Sequence, residues 1–165
     1  VDILAKSNLP GRWSVKDSFS TLDLSRAGFD LLFGATWIRG TMPTSGPSAD
    51  IVWQREIEGA AGLPFEDPNF AMFTGRRGFL VVAGGMLYRA EGVVGLSNVI
   101  AEADDATSVW QSLMLLAART FPRLPVVGYE SGRELEAAVE AGFEAGDDLR
   151  VWVRSRDEEL APELD

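Results

Sequence analysis

The segment Phe79–Val153 decides the fold. It reads FLVVAGGMLYRA (79–90), GVVGLSNVIAE (92–102), SVWQSLMLLAARTF (108–121), LPVVGYE (124–130), SGRELEAAVEAGF (131–143) and DDLRVWVR (147–154). Phe79–Ala90 and Val93–Glu102 are apolar, strand-like runs joined by Glu91-Gly92, a two-residue hairpin signal. After Ala101 the pattern changes. Trp110, Leu113, Met114, Ala117 and Phe121 recur at helical spacing, so one face of that helix is buried. Ser108-x-x-Gln111 has the form of a capping box, with Asp104 and Asp105 just ahead of it, and Pro122 stops the helix. Pro125–Glu130 is a short apolar strand of the kind covered on both faces. Ser131-x-x-Glu134 is a second capping box, opening a helix whose apolar face is Leu135, Ala138, Val139 and Ala141. Gly142 closes it, and Leu149–Val153 is the last strand. Antiparallel hairpins thus give way to a β-α-β crossover at the loop after Ala101. Neighbouring strands can part there, with a helix N-terminus pointing into the opening.

Working outward, the first twenty residues hold a turn signal, Asn8-Leu9-Pro10-Gly11, and little periodicity, so an irregular arm is expected. Thr21–Ala27 suits a short helical turn stopped by Gly28. Phe29–Ile38 alternates at Phe29, Leu31, Phe33, Ala35 and Trp37 and reads as a strand, with a helix over Ser25–Phe33 as the competing reading. Gly40–Ser48 has loop composition. Ala49–Ala60 reads as a helix ended by Gly62, Pro64 and Pro68. Asn69–Thr74 reads as a strand, and Gly75-Arg76-Arg77-Gly78 as the hairpin turn after it. The expected organisation is an arm over 1–28, one α/β domain over 29–154 and a charged tail over 155–165.

Composition narrows the chemistry. The chain has 165 residues, no Cys and no His, so disulfides, thiolate catalysis and imidazole bases are excluded. Metal sites would need carboxylates alone, and no calcium-loop spacing is present; no metal is expected. The formal charge of −10 opposes nucleic acid and anionic membranes. No apolar run approaches a membrane span, and VDILAKSNLPGRW lacks the layout of a secretory signal, so a cytoplasmic location is expected.

The order of these elements resembles the GNAT superfamily of N-acetyltransferases. The resemblance is carried above all by VGYESGRELEAAVEAGFEAGDDLRVWV (127–153), a strand, a small-residue helix ending in Gly-Phe, and a strand. Val93–Glu102 resembles that superfamily's central strand and Ser108–Phe121 its cofactor-side helix. The runs FDLLFGATWI, GVVGLSNVIAE, FPRLPVVGYESG and LRVWV are similar to GNAT-like proteins of actinobacteria. The resemblance implies a single mixed α/β domain with a V-shaped splay between Val93–Glu102 and Pro125–Glu130. It also implies acetyl-CoA as the cofactor of an active member, its pantetheine arm against Leu96–Ile100 (Leu96, Ser97, Asn98, Val99) and its diphosphate on amides near Ser108.

At that last place the chain departs from the family's R/Q-x-x-G-x-G/A pattern. The loop reads Glu102-Ala103-Asp104-Asp105-Ala106-Thr107, with no glycine and no cation. Three carboxylates stand where a diphosphate would dock, and Ser108 would cap amides that a phosphate needs. Glu130 is a candidate base and Tyr129 a candidate acid, against bland roles as a helix-capping or solvated carboxylate and as a half-buried strand tyrosine. Ser97 and Asn98 face either a ligand or ordinary polar partners. Trp37 and Arg39 form a substrate wall or a core Trp beside a solvated Arg. Trp110 reads as core and Arg76-Arg77 as an exposed hairpin tip. Three functions follow: a degenerate acetyltransferase serving as a binding or interaction module, a working N-acetyltransferase, or a subunit completed by a homodimer or protein partner.

Overall fold

The computed structural model describes residues 13–40, 50–58 and 66–154. Its strands are β1 (Trp13–Asp17), β2 (Asp30–Gly40), β3 (Val52–Glu56), β4 (Phe70–Arg77), β5 (Leu80–Ala90), β6 (Val93–Ala101), β7 (Val126–Glu130) and β8 (Glu144–Arg154); its helices are α1 (Ala106–Thr120) and α2 (Gly132–Glu140). They form a mixed eight-stranded sheet in the order β1-β8-β2-β7-β6-β5-β4-β3. This is the mixed α/β architecture expected. The chain separates into two compact units, Val1–Ala35 with Asp147–Asp165, and Thr36–Gly146.

In the first unit, β1 pairs antiparallel with β8 from Trp13↔Arg154 to Asp17↔Arg150. An irregular arm was expected over 13–17. The strand forms because Trp13 and Val15 pack on a small core of Leu24, Ala27, Phe29 and Trp152. The Trp13 and Phe29 rings meet edge to face at 4.9 Å. Asp17, buried at 4% exposure, accepts the amides of Phe19 (3.3 Å) and Leu22 (2.7 Å), which fixes the turn after β1. Ser25–Ala27 make the expected helical turn, and Gly28 ends it at φ +79°.

The second unit holds α1, α2 and the larger core. Val109, Trp110 and Leu113 are fully buried, and Met114 and Ala117 nearly so. Each large apolar side chain removed from water this way contributes roughly 1.5–3 kcal/mol. Gly85 sets how closely α1 approaches β5, because a Cβ there would stand 2.9 Å from both Leu113 methyls. Phe143 closes the far side, its ring 5.4 Å from Trp110 and nearly perpendicular to it. Gly142 at φ +104° lets the Phe143 amide turn back to the Ala138 carbonyl (3.0 Å), ending α2 in a Schellman-type cap. Glu91 and Gly92, at φ +48° and +78°, make the expected β5–β6 hairpin.

Three local expectations fail. Val52–Glu56 is a strand rather than part of a helix over 49–60: Ile51 and Trp53 pack on the core while Val52 and Gln54 are exposed, a period of two. The β4–β5 turn is Gly78-Phe79, because β4 continues through Arg77. Helix α1 starts at Ala106, two residues before the Ser108 capping box. Residues 1–12, part of the expected loop over 40–48, and the tail 155–165 lie outside the described residues.

Candidate functional site

The site is built where β6 leaves β7. The two strands run parallel, and among the described residues their pairing is confined to Val94↔Val126 and Gly95↔Val127, with the Val94 amide on the Pro125 carbonyl at 2.9 Å. Past that point β6 bends away. Its register against β5 jumps from Met86↔Ser97 to Gly84↔Ile100, and the extra residue is accommodated at Asn98, which adopts φ +51°. Such a bulge bends and twists a strand, and Asn tolerates the left-handed region better than most side chains. Gly128 sits at the fork: a Cβ there would lie 3.0 Å from the Leu96 carbonyl oxygen. Pairing of the two strands therefore stops after Gly95 and Val127, where the expected splay begins, with a bulge on β6 beyond it and the absence of a Cβ at Gly128 keeping β7 close to the Leu96 carbonyl.

The residues expected to line it divide by face. Leu96 is 4% exposed and Val99 packs against the core, so these side chains face inward. Ser97 and Asn98 are exposed, and the Asn98 Nδ2 donates to the Met86 sulfur at 3.0 Å. Tyr129 and Glu130 are adjacent on β7 and so point to opposite faces of the sheet. Tyr129 meets the Trp37 ring edge to face at 5.6 Å. Glu130 lies toward α2, where burial, and then the charge of Glu134, push its carboxyl up to about 7. Glu134 accepts the Trp110 indole N–H at 3.4 Å. The two candidate acid/base residues are thus not brought to one point.

Past the end of β6, the start of α1 faces α2 across a groove of about 420 Å3. Ala101, Ala103, Ala106 and Thr107 form one wall, and Arg133, Glu134, Glu136, Ala137 and Glu140 the other. Thr107 Oγ1 donates to Glu140 Oε2 at 2.9 Å, tying the two helices together. Ser108 does not cap the helix: it lies in the first turn and its hydroxyl donates to the Asp105 carbonyl at 2.8 Å. Asp105 occupies the N-cap position with no side-chain cap bond. Its carboxylate is held instead by Arg77 at 2.7 Å. The same guanidinium reaches Glu102 (3.4 Å) and Asp50 (3.0 Å). Arg77, expected to be a solvated hairpin tip, is the counter-ion of the acidic turn. Its own pKa is raised, first by the hydrogen bond to Asp105. Sequence spacing gave no sign of this, since its partners lie 25 to 28 residues away in either direction.

No family model matches the chain, and no curated protein matches it by sequence. Solved structures do. A functionally unknown conserved protein from Staphylococcus epidermidis superposes with a TM-score of 0.62 at 8% identity, over 89% of this chain and 73% of that one. A GCN5-related N-acetyltransferase from Kribbella flavida gives 0.59 at 10% identity, over 81% and 63%. A tandem GNAT protein from the clavulanic acid biosynthesis pathway gives 0.52 at 7%, over 87% and 63%. The fold is that of the GCN5-related N-acetyltransferases. This chain spans less than two thirds of the length of the Kribbella protein and of the tandem one.

A GCN5-related N-acetyltransferase fold implies coenzyme A, and its two parts can be tested separately against these residues. The β6 edge beyond Gly95 is not paired with β7, so its backbone suits the amides of a pantetheine arm. The diphosphate does not fit. The α1 N-terminus still offers amides that no side chain caps, but the turn before it carries Glu102, Asp104 and Asp105, and the adjoining groove carries three glutamates against Arg133. Arg77 is already shared among three carboxylates. At ~5 Å and an effective dielectric near 20, each like-charge pair costs about 3 kcal/mol before salt screening.

Proposed function

We propose that this domain keeps the acetyltransferase architecture and serves as a binding or interaction module, without turning over acetyl-CoA. One observation carries the reading: the turn that would receive the diphosphate holds Glu102, Asp104 and Asp105, Arg77 beside it is committed to Asp50, Glu102 and Asp105, and the adjoining groove sets Glu134, Glu136 and Glu140 against Arg133. A helix N-terminus favours an anion by roughly 0.3–1 kcal/mol at an exposed site, too little to offset several carboxylates. Thermal denaturation with acetyl-CoA tests this directly. Ligand that binds only the folded state at a hundred times its Kd stabilises by about 2.7 kcal/mol. The expected result is no shift in Tm at millimolar acetyl-CoA and no acetyl transfer to an amine panel; micromolar stabilisation with turnover would contradict it.

A working acyl-CoA-dependent N-acetyltransferase is the second reading. It is favoured by the end of β6–β7 pairing after Gly95 and by a carboxyl, Glu130, that burial pushes up to about 7 and that suits a general base. A third reading, a subunit completed by a homodimer or protein partner, draws on the exposed apolar residues Phe79, Leu80 and Val81 at the β4–β5 turn. Light scattering separates it from the others, since it requires a dimer or a stable complex.

A further inference from the structure

A second cavity, of about 330 Å3, lies in the same unit and shares no lining residue with the acidic groove. Trp37 and Arg39 come from β2, Val127 from the strand beside it, and Glu144, Ala145 and Gly146 from the start of β8. Trp37 and Arg39 are two apart on one strand, and Arg39 is opposite Val127 in the register, so these three side chains share a face. The indole is half-buried and held edge to face by Tyr129, which makes it a fixed wall. The cavity therefore combines an aromatic surface, small aliphatic groups and two opposite charges. Neither Arg39 nor Glu144 makes an ion pair, with the other or with any other described residue. Its volume falls within the ~300–1,000 Å3 typical of small-molecule sites.

From this juxtaposition we propose that the Trp37–Arg39–Glu144 cavity binds a small zwitterion, a free α-amino acid with an apolar side chain. The Arg39 guanidinium, a planar fork of donors, takes the carboxylate. Glu144 takes the ammonium, which also lies within reach of the Trp37 ring. Val127 and Ala145 receive the aliphatic arm. A ligand with one charge satisfies one residue and leaves the other facing an apolar wall. A zwitterion satisfies both, and specificity follows from the pair. Nothing in this inference depends on whether coenzyme A binds at the β6–β7 fork.

The test is a titration of the whole chain with L-leucine, followed by calorimetry and by the Trp37 indole N–H resonance. N-acetyl-L-leucine, which lacks the ammonium, and L-leucinamide, which lacks the carboxylate, serve as controls. The expected outcome is saturable leucine binding with a Kd below about 10 mM, each control being at least about tenfold weaker. Arg39→Gln should bring leucine down to the affinity of leucinamide, and Glu144→Gln down to that of N-acetyl-leucine; both residues are exposed, so both variants should fold. Absence of saturation up to about 10 mM, equal binding of all three ligands, or unchanged leucine affinity in both variants would overturn the proposal.

Discussion

The β6–β7 fork and the turn into α1 are neighbours built from different parts of the chain's chemistry. The fork is made by backbone: two residue pairs, a bulge at Asn98 and a glycine at 128. The turn is made by side chains: Glu102, Asp104 and Asp105 outside, Arg77 beneath. The first leaves β6 backbone beyond Gly95 unpaired with β7, and the second gathers carboxylates at the start of α1. Strand geometry is held by the core, whereas the charge of an exposed turn is set by a few side chains, so the same fold can carry either sign there.

The core that locks the fork should be the most sensitive place. Trp110 is fully buried between α2 and Phe143, so Trp110→Ala should cost about 3–5 kcal/mol in denaturant unfolding. A cost below about 1 kcal/mol would mean that the helices do not hold the strands. Gly128→Ala probes the fork itself. The new Cβ would press on the Leu96 carbonyl, a backbone atom that cannot rotate away, and the expected loss is about 1–3 kcal/mol. Hydrogen exchange should rise at Val94 and Val126. Unchanged exchange there would show that the strands do not depend on that missing Cβ.

Glu130 joins the two regions, and its pH response shows which it belongs to. Its carboxyl is raised from 4.5 to about 7, so below 4.5 the folded and unfolded chains are both protonated. Between 4.5 and 7 the folded state holds the extra proton, and stability falls as pH rises through that interval. Glu130→Gln should match the parent near pH 4 and exceed it at pH 8, by on the order of 1 kcal/mol after discounting for the water that reaches this half-buried group. A difference that does not vary with pH would remove burial as the cause.

The strand and helix order from Phe79 onward could be read because each element carries its own stop: Gly92, Pro122 and Gly142 stand where the elements end. The change from antiparallel hairpin to parallel crossover after β6 was legible for the same reason. Two strands were not. In Ile51–Glu56 the alternation of Ile51 and Trp53 with Val52 and Gln54 was outweighed by a helical reading of a short run. In Trp13–Asp17 the pattern is equally short and its partner, β8, is some 140 residues away along the chain. The candidate site was half legible. Its acidity is plain in Glu102–Asp105, but Arg77 acquires its role only when β4 ends beside that turn. Ser108-x-x-Gln111 has the letters of a capping box, yet the helix begins two residues earlier, at Ala106, and the Ser108 hydroxyl donates to the Asp105 carbonyl instead of capping. Alternation on β7 separates Tyr129 from Glu130, and this could have been read from their adjacency alone.

The most direct measurement of the difference between fork and turn is a paired calorimetric titration. Acetyl-CoA and S-acetylpantetheine, which lacks the diphosphate and nucleotide, are each added to the parent chain and to Glu102→Gln/Asp104→Asn/Asp105→Asn. The account predicts that the parent binds both ligands equally weakly, and that the neutralised variant gains at least about tenfold for acetyl-CoA alone, roughly 1.4 kcal/mol. Tight binding of acetyl-CoA by the parent, with no gain on neutralising the turn, would contradict it.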